Sequence, residues 1–539
     1  MRSIEIPQPE DRDWRYRLFE ILPGLLTYIV LSLPIILGKF APKAAAYFVV
    51  AYLLVWFVRA VGLDIRSIQG YRIMKTHKNL PWKKLNADLE ILQPRLKNAP
   101  KWHARNIKRV AEYIPEQRRI KPSEVYHAVF IAFWNESREV LEPTVQSVLN
   151  TDYDSKKMIL ILAYEQRGGP EIEATANYLI KKYGHHFYHA EAVMHPWPMT
   201  GEVIGKGGNI TFAGRRFKRY LESENLDPLR VLVTTLDSDN RPDKQYFGAL
   251  TYTYCSTEEP KNASYQPVTM YLNNIWDAPA PMRVIATGNS FWNVVLAMRP
   301  QALRNFSAHA QPMAALIDTD FWSVRTIVED GHQYWRTWFR YDGNHIVFPI
   351  YVPIYQDAVL TSSYRKTLKM QFVQVRRWAW GASDIAYFAN QAFFKINNVP
   401  WYKKAAKGWR LLEGHLSWST APLILLLAAY PPFLFHTSSF LGNELPQYAS
   451  NLQRVAMVGI AVSLFLSMRT LPPKPERYRR HRTLWMVVQW VYLPVTSIIY
   501  SSFAALYSQT RLMFGKYLGF VITEKATKSE RVEVGELLK

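Results

Sequence analysis

A single cysteine, Cys255, stands among 539 residues. This excludes an intrachain disulfide and any CxxC metal site, and it fits a chain whose bulk sits in a reducing compartment. The sequence also lacks an Arg-rich low-complexity arm, zinc-finger spacing or any other nucleic-acid module, so nucleic acid is not an expected partner. Acidic residues are scarce: 44 Asp and Glu against 66 Lys and Arg leave a formal charge of +22. Such an excess suits an anionic lipid surface or a phosphorylated substrate, because both reward cations through the same Coulomb attraction. Charge-free runs of membrane-spanning length are missing from residues 64–407 and are gathered at the two ends. With 49% hydrophobic residues but a mean hydropathy of only -0.15, the apolar residues must be concentrated in segments. A membrane part and a soluble part are expected, in a chain too long for one ordinary globular unit.

At the front, residues 21–38 carry no charge, and after Lys39 and Lys43 a second apolar stretch covers 44–58. Crossing a hydrocarbon layer takes about 20 helical residues, so these read as a hairpin of two spans, the second extended past Arg59 by snorkelling. A cleaved signal peptide is disfavoured by the long charged lead PEDRDWRYR and the second stretch that follows at once. Behind residue 414 come three further stretches: one starting at Gly414, a weaker one at 455–468, which could instead be an interfacial or buried helix, and one at 483–510. The basic run KPERYRRHR at 474–482 and the cations Arg66, Arg72, Lys75, Lys78, Lys83 and Lys84 place the central region in the cytoplasm. Two spans in front and about three behind would send the tail after Arg511 outside, against its own Lys and Arg content. Either the Pro494 segment is re-entrant or one span is miscounted. The expected division is a transmembrane hairpin at 1–63, a cytoplasmic linker at 64–120, a catalytic domain at 121–395, an interfacial helix at 396–413, transmembrane helices at 414–512 and a tail at 513–539.

Within the central region, residues 125–133, 158–163 and 230–236 are apolar, β-branched strand candidates that alternate with helix candidates at 138–149 and around 215–221. Continuous apolar strands alternating with helices indicate α/β architecture with a parallel sheet, whose ligands bind beyond the carboxyl ends of the strands. After the third strand the chain reads LDSDNRPD. Asp237 and Asp239 in an extended segment can share one divalent ion, and hard oxygen ligands suit Mg2+ or Mn2+. Asp318 and Asp320 form a second pair of the same spacing, so spacing alone does not decide. In VEDGHQYWR, Glu329 and Asp330 beside His332 offer a candidate general base, although acids also favour a helix start through the dipole alone. In MQFVQVRRWAWG, Gln374, Arg377 and Trp378 share one helix face. That face suits a sugar diphosphate, since Arg pairs with phosphate and Trp stacks on sugar, or equally a membrane-surface helix.

Taken in order, these pieces resemble the membrane-bound family 2 glycosyltransferases, the group of cellulose, hyaluronan and chitin synthases and several lipid-directed hexosyltransferases. AFWNES is similar to the family's nucleotide-binding opening, which implies Phe133 and Glu136 in the base pocket. LAYEQRGG looks like the second base-contacting turn, with Glu165 where Asp is usual. GKGGN resembles the Lys-Gly-Asn stretch and implies Lys206 near the nucleobase or phosphates. LDSDN, VED and QVRRW match the DxD, TED and QxxRW motifs, with Val328 replacing the usual Thr, and ATGNSFW (286–292) resembles an acceptor-lining segment. FVITEK near residue 520 looks like a cytoplasmic segment after the last span.

The resemblance implies a GT-A type nucleotide-sugar domain between two groups of transmembrane helices, in a multi-pass protein of the plasma membrane with its catalytic domain cytoplasmic. It further implies a donor, UDP-linked by expectation, held by Phe133, Glu136, Glu165, Lys206, Asp237, Gln374, Arg377 and Trp378. The metal, Mg2+ or Mn2+, falls on Asp237 and Asp239, and Asp330 is the base with Glu329 beside it. The expected reaction is inverting transfer to a growing polysaccharide, with a saccharide or lipid-linked acceptor, the lipid bilayer and an export partner as partners. Transfer of one sugar to a lipid or prenyl phosphate, and a non-catalytic transporter or scaffold, are the alternatives.

Overall fold

The computed structural model describes residues 4–521 except 437–439, 457 and 480, so FVITEK beyond Val521 and the rest of the tail lie outside the described residues. Eight strands form one sheet in the order β3-β2-β1-β4-β7-β6-β8-β5. They are β1 (Tyr126–Phe133), β2 (Met158–Glu165), β3 (His189–His195), β4 (Val231–Asp237), β5 (Arg241–Pro242), β6 (Ala263–Met270), β7 (His309–Pro312) and β8 (Ile346–Tyr355). β1 runs parallel to β2 and β4, and β2 parallel to β3. Side chains of β1 alternate between faces: Val129, Ile131 and Phe133 pack with Leu141 and Val145 of the Arg138–Leu149 helix, while Ala128 and Phe130 meet Ile210, Ala213 and Phe217 of the Lys206–Ser223 helix. Burial on both faces is why such a strand reads as an unbroken apolar run.

The expectation of a parallel sheet holds for this half only. β7 is antiparallel to β4 and β6, and β5 is antiparallel to β8. β6 and β8 are parallel, with a register break between Pro267 and Val268. Pro267, Pro312, Pro349 and Pro353 lie in these strands and cannot donate to a ladder, so the second half has no run that sequence periodicity would flag.

The α/β domain sits between two groups of long helices, as expected. Trp14–Phe40, Pro42–Lys78, Asn443–Thr470 and His481–Met513 are long and apolar enough to cross a bilayer. Asp13 caps the first, its side chain accepting the Tyr16 N–H at 2.9 Å. The second has 37 residues, about 55 Å at the α-helical rise. It therefore runs well past the 63/64 boundary, and Lys78 near its end reaches Asp243 at 3.1 Å. The apolar stretch at Gly414 belongs to a helix, Trp401–Leu427, whose first half is charged.

Residues 4–6, ahead of the first long helix, are threaded into the α/β domain. Ile4 and Ile6 are buried. The Tyr387 hydroxyl donates to the Ile4 carbonyl at 2.7 Å and the Arg325 guanidinium to that of Ile6 at 2.8 Å. Glu5 pairs with the buried Arg336 at 2.7 Å and accepts from the Ser323 hydroxyl. Glu5→Ala is expected to cost about 3 kcal/mol, because it leaves a buried guanidinium without its carboxylate. Thermal unfolding of the purified variant checks this, and an unchanged transition would show that the pair contributes nothing.

Candidate active site

The carboxyl ends of β1, β2 and β4 open onto one cleft, the position where open α/β sheets bind ligands. β4 ends at Asp237, and the turn after it is closed by the Asn240 N–H on the Asp237 carbonyl at 3.0 Å. The two carboxylates of this turn differ in exposure. Asp239 is buried, and its Oδ2 accepts the Asp357 N–H at 3.0 Å. Asp237 faces the cleft with 37% of its side chain exposed.

Lys206 begins the helix that packs under β1 and β2. Its Nζ lies 2.9 Å from Asp237 Oδ1 and 3.5 Å from Asp330 Oδ1, so one ammonium joins the end of β4 to the Glu329–Arg340 helix. Burial disfavours that ammonium, but Asp237, Asp330 and Glu329 outweigh it and raise its pKa above the lysine range. Asp330 is shifted the same way: burial, then Glu329 and Asp237, hold its pKa well above an ordinary Asp, against the opposing pull of Lys206 and Arg377. Gly207 makes this convergence possible. A Cβ there would stand 2.3 Å from the Ser323 carbonyl oxygen and 3.2 Å from Glu329 Cβ. Gly207→Ala is expected to destabilise the protein by about 1–3 kcal/mol, because a backbone carbonyl has to move. An unshifted unfolding temperature would show that the loop yields freely.

Three neighbours of the carboxylates carry no sequence signal. The Ser307 hydroxyl donates to Asp237 Oδ2 at 3.2 Å. His309, buried on β7, has Nδ1 3.6 Å from Asp330 Oδ1. The indole N–H of Trp322 donates to its Nε2 at 3.3 Å, which assigns the ring proton to Nδ1. Burial and then Lys206 push the pKa of His309 down to about 3, so the ring is neutral. Tyr271 follows β6 close enough to Asp237, Asp239 and Arg377 to feel their charges, and its ring lies 6.3 Å from that of Trp378. These residues are brought in by topology from segments without a motif.

The remaining expected donor residues lie at or just after the ends of β1 and β2 and on the Tyr364–Ala379 helix. Phe133 is buried at the end of β1 and stacks on Tyr164 at 6.1 Å. Glu136 Oε2 accepts the N–H groups of Trp134 (2.8 Å) and Asn135 (3.2 Å), and its Oε1 accepts from the Ser238 hydroxyl at 3.1 Å, so it ties the loop after β1 to the turn after β4. Glu165, buried at the end of β2, pairs with Arg167, whose guanidinium lies 4.4 Å from the Trp134 ring. Gln374, Arg377 and Trp378 sit half-buried on the Tyr364–Ala379 helix. Arg377 stacks over the Phe520 ring at 5.0 Å, and Gln374 Oε1 receives the Gln371 amide at 3.5 Å.

Other candidates lie elsewhere. His332 is buried with Nδ1 2.7 Å from Asp384 Oδ1, which ties the Glu329–Arg340 helix to the Asp384–Ala389 helix. Asp318 pairs with Lys261 at 2.7 Å and Asp320 with Arg215 at 2.8 Å, so the second DxD pair splits between two ion pairs. At Val328 the backbone N–H donates to Thr326 Oγ1 at 3.3 Å. ATGNSFW lies on the Ala280–Ala297 helix, and its Ser290 Oγ accepts the Tyr271 N–H at 2.9 Å.

Among the described residues, no group of three or more His, Cys, Asp or Glu converges as a preformed metal cage. Two carboxylates nonetheless fit Mg2+ or Mn2+, ions commonly held by one or two carboxylates with phosphate oxygens and water completing the shell.

The sequence matches no family profile and no curated protein. Among solved structures it is similar to a mannosyltransferase from Pyrobaculum calidifontis in complex with GDP-Man and Mn2+, at 14% identity and a TM-score of 0.41, over 84% of this chain and 100% of that one. It is also similar to residues 1–349 of S. aureus TarS, at 12% identity and a TM-score of 0.34, over 74% of this chain and 95% of that one.

Proposed function

We propose that this chain is an inverting membrane glycosyltransferase that moves a sugar from a nucleotide diphosphate, UDP-linked by preference, to a growing polysaccharide. The observation that carries this reading is the convergence of Asp237, Lys206 and Asp330 in one cleft at the carboxyl ends of the sheet. Arg377 and Trp378 are carried toward it by the Tyr364–Ala379 helix. A carboxylate with raised proton affinity beside fixed cations is what a single displacement requires. Asp330 takes the acceptor hydroxyl proton as that oxygen attacks the anomeric carbon, and Lys206 and Arg377 bind the departing diphosphate. Trp378 and Tyr271 offer adjacent flat surfaces for the sugar. Lys206 holds Asp330 in place, with the neutral His309 ring 3.6 Å away. Mg2+ or Mn2+ at Asp237 and Asp239 would supply further neutralisation of the diphosphate.

Because Asp330 must be unprotonated to act, kcat/KM rises with pH through the pKa of the free enzyme. Burial and the neighbouring acids set that pKa above the ordinary Asp range of about 4. The acid limb of the profile is therefore expected well above that range, and a limb at the ordinary Asp position would remove Asp330 from the base role. The function itself is tested by incubating membranes with labelled nucleotide sugars and Mn2+, then separating polymer from organic-soluble product. Polymer is expected. Label in the organic phase alone would replace it with single-sugar transfer to a lipid, and no metal-dependent turnover of any donor would overturn the enzymatic reading.

A further inference from the structure

A second concentration of charge lies away from the cleft. Arg59 and Arg66 of the Pro42–Lys78 helix, Arg299 and Arg304 after the Ala280–Ala297 helix, and Lys407 and Arg410 of the Trp401–Leu427 helix lie close enough to feel one another's charge. Lys407 Nζ and Arg410 Nη1 both donate to the Gln301 carbonyl oxygen, at 3.2 and 3.0 Å, which holds two cations against one acceptor. The carboxylates that act on the cluster are Glu413, paired with Arg59 at 2.7 Å, and Asp384, which faces Arg304 and is paired with His332 at 2.7 Å. Among the described residues, Arg299 and Arg304 form no ion pair. Burial, then Arg66, Arg410 and Arg59, lower the pKa of Arg299; burial, then Arg410 and Arg304, push that of Lys407 down to about 8. Like charges held this close favour an anion between them.

The level of the cluster in the molecule indicates which anion. Arg59 directly follows the apolar run 44–58, and Glu413 directly precedes the uncharged run that starts at Gly414. Arg59 also stacks on Trp56 at 5.2 Å, and Trp409 is exposed. Aromatic rings and cations at the edge of an apolar band mark the height of lipid headgroups, and basic pockets between helices there bind lipid phosphates. We propose that this cluster binds the phosphate of an anionic lipid headgroup.

The site also touches the catalytic framework. Lys407 Nζ lies 5.2 Å from the Tyr334 ring and Arg304 Cζ 5.6 Å from the Trp335 ring, both on the helix that begins with Glu329 and Asp330. The loop that carries Arg299 and Arg304 continues to Ser307, the hydrogen-bond donor to Asp237. A bound headgroup would therefore brace this loop and helix. That link to transfer rests on the function proposed above, whereas the binding site does not.

The test is thermal unfolding of the full chain in nanodiscs of phosphatidylcholine alone and with added phosphatidylglycerol. Phosphatidylglycerol is expected to raise the melting temperature by about 1 °C, the effect on a chain of this length of a ligand present at roughly ten times its Kd. The triple variant Arg299→Gln, Arg304→Gln, Lys407→Gln should lose that rise, and Lys407→Arg should keep it. If the triple variant does not fold, exposed Arg410→Gln alone should reduce the rise. A rise in the triple variant, or in Arg410→Gln where it stands in for the triple, as large as in the parent would overturn the site. Inorganic phosphate added to the phosphatidylcholine sample should give no comparable rise, and an equal one would overturn the lipid as its source. The readout needs no turnover, so failure of the transferase reading would leave it intact.

Discussion

Asp330→Asn is expected to lower transfer by about 10²–10⁴-fold, the usual contribution of a positioned general base, while the donor still binds. The substitution is nearly isosteric and leaves Lys206 its shorter contact, 2.9 Å to Asp237, so the ammonium stays where a diphosphate would meet it. What disappears is the proton acceptor alone. The pairing of measurements matters: product formation under saturating donor, and donor affinity by calorimetry on the same preparation. Near-normal turnover by the variant would exclude Asp330 as the base, and loss of both activities would point to a collapsed cleft. His309 cannot substitute, because its Nε2 is engaged by Trp322 and its Nδ1 already carries the ring proton.

The second large effect is expected for Asp237→Ala. Lys206 and Ser307 both reach this side chain, which is 37% exposed. Its removal frees Lys206 to turn fully to Asp330, 3.5 Å away, and takes away the exposed one of the two oxygen donors proposed for Mg2+ or Mn2+. Donor affinity in Mn2+ should fall to the level seen in chelator, and kcat/KM should drop by about 10²–10³-fold, as when a preorganised charge-stabilising group is deleted. Donor binding that is still strengthened by Mn2+ in this variant would place the metal elsewhere.

How much of this was legible in the sequence depended on what each residue packs against. β1, β2 and β4 are buried on both faces and showed as apolar runs, which made the position of Asp237 at the end of one readable. β3, with the sequence HAEAVMH, lies at the sheet edge, half-buried along most of its length, and carries no such run. The proline-bearing strands β6 to β8 were equally silent. An acid at a helix start is commonplace, so Asp330 stood out through resemblance and not through its own surroundings. Ser307, His309 and Tyr271 could not have been found by pattern. Strand β7 and the end of β6 reach the cleft only because the sheet reverses direction there.

The threading of residues 4–6 into the α/β domain has a topological corollary. For a chain whose long apolar helices cross a bilayer, the leading segment and the domain it enters must share one side, so the crossings between Ile6 and Tyr126 are even in number. The same parity applies behind the domain, because Phe520 lies against Arg377. Both ends of the His481–Met513 helix also return to the domain: Arg482 donates to the Trp276 carbonyl at 2.9 Å and Ser508 to the Arg376 carbonyl at 2.6 Å. In such a chain that helix would add no net crossing, although it is long and apolar enough to span a bilayer.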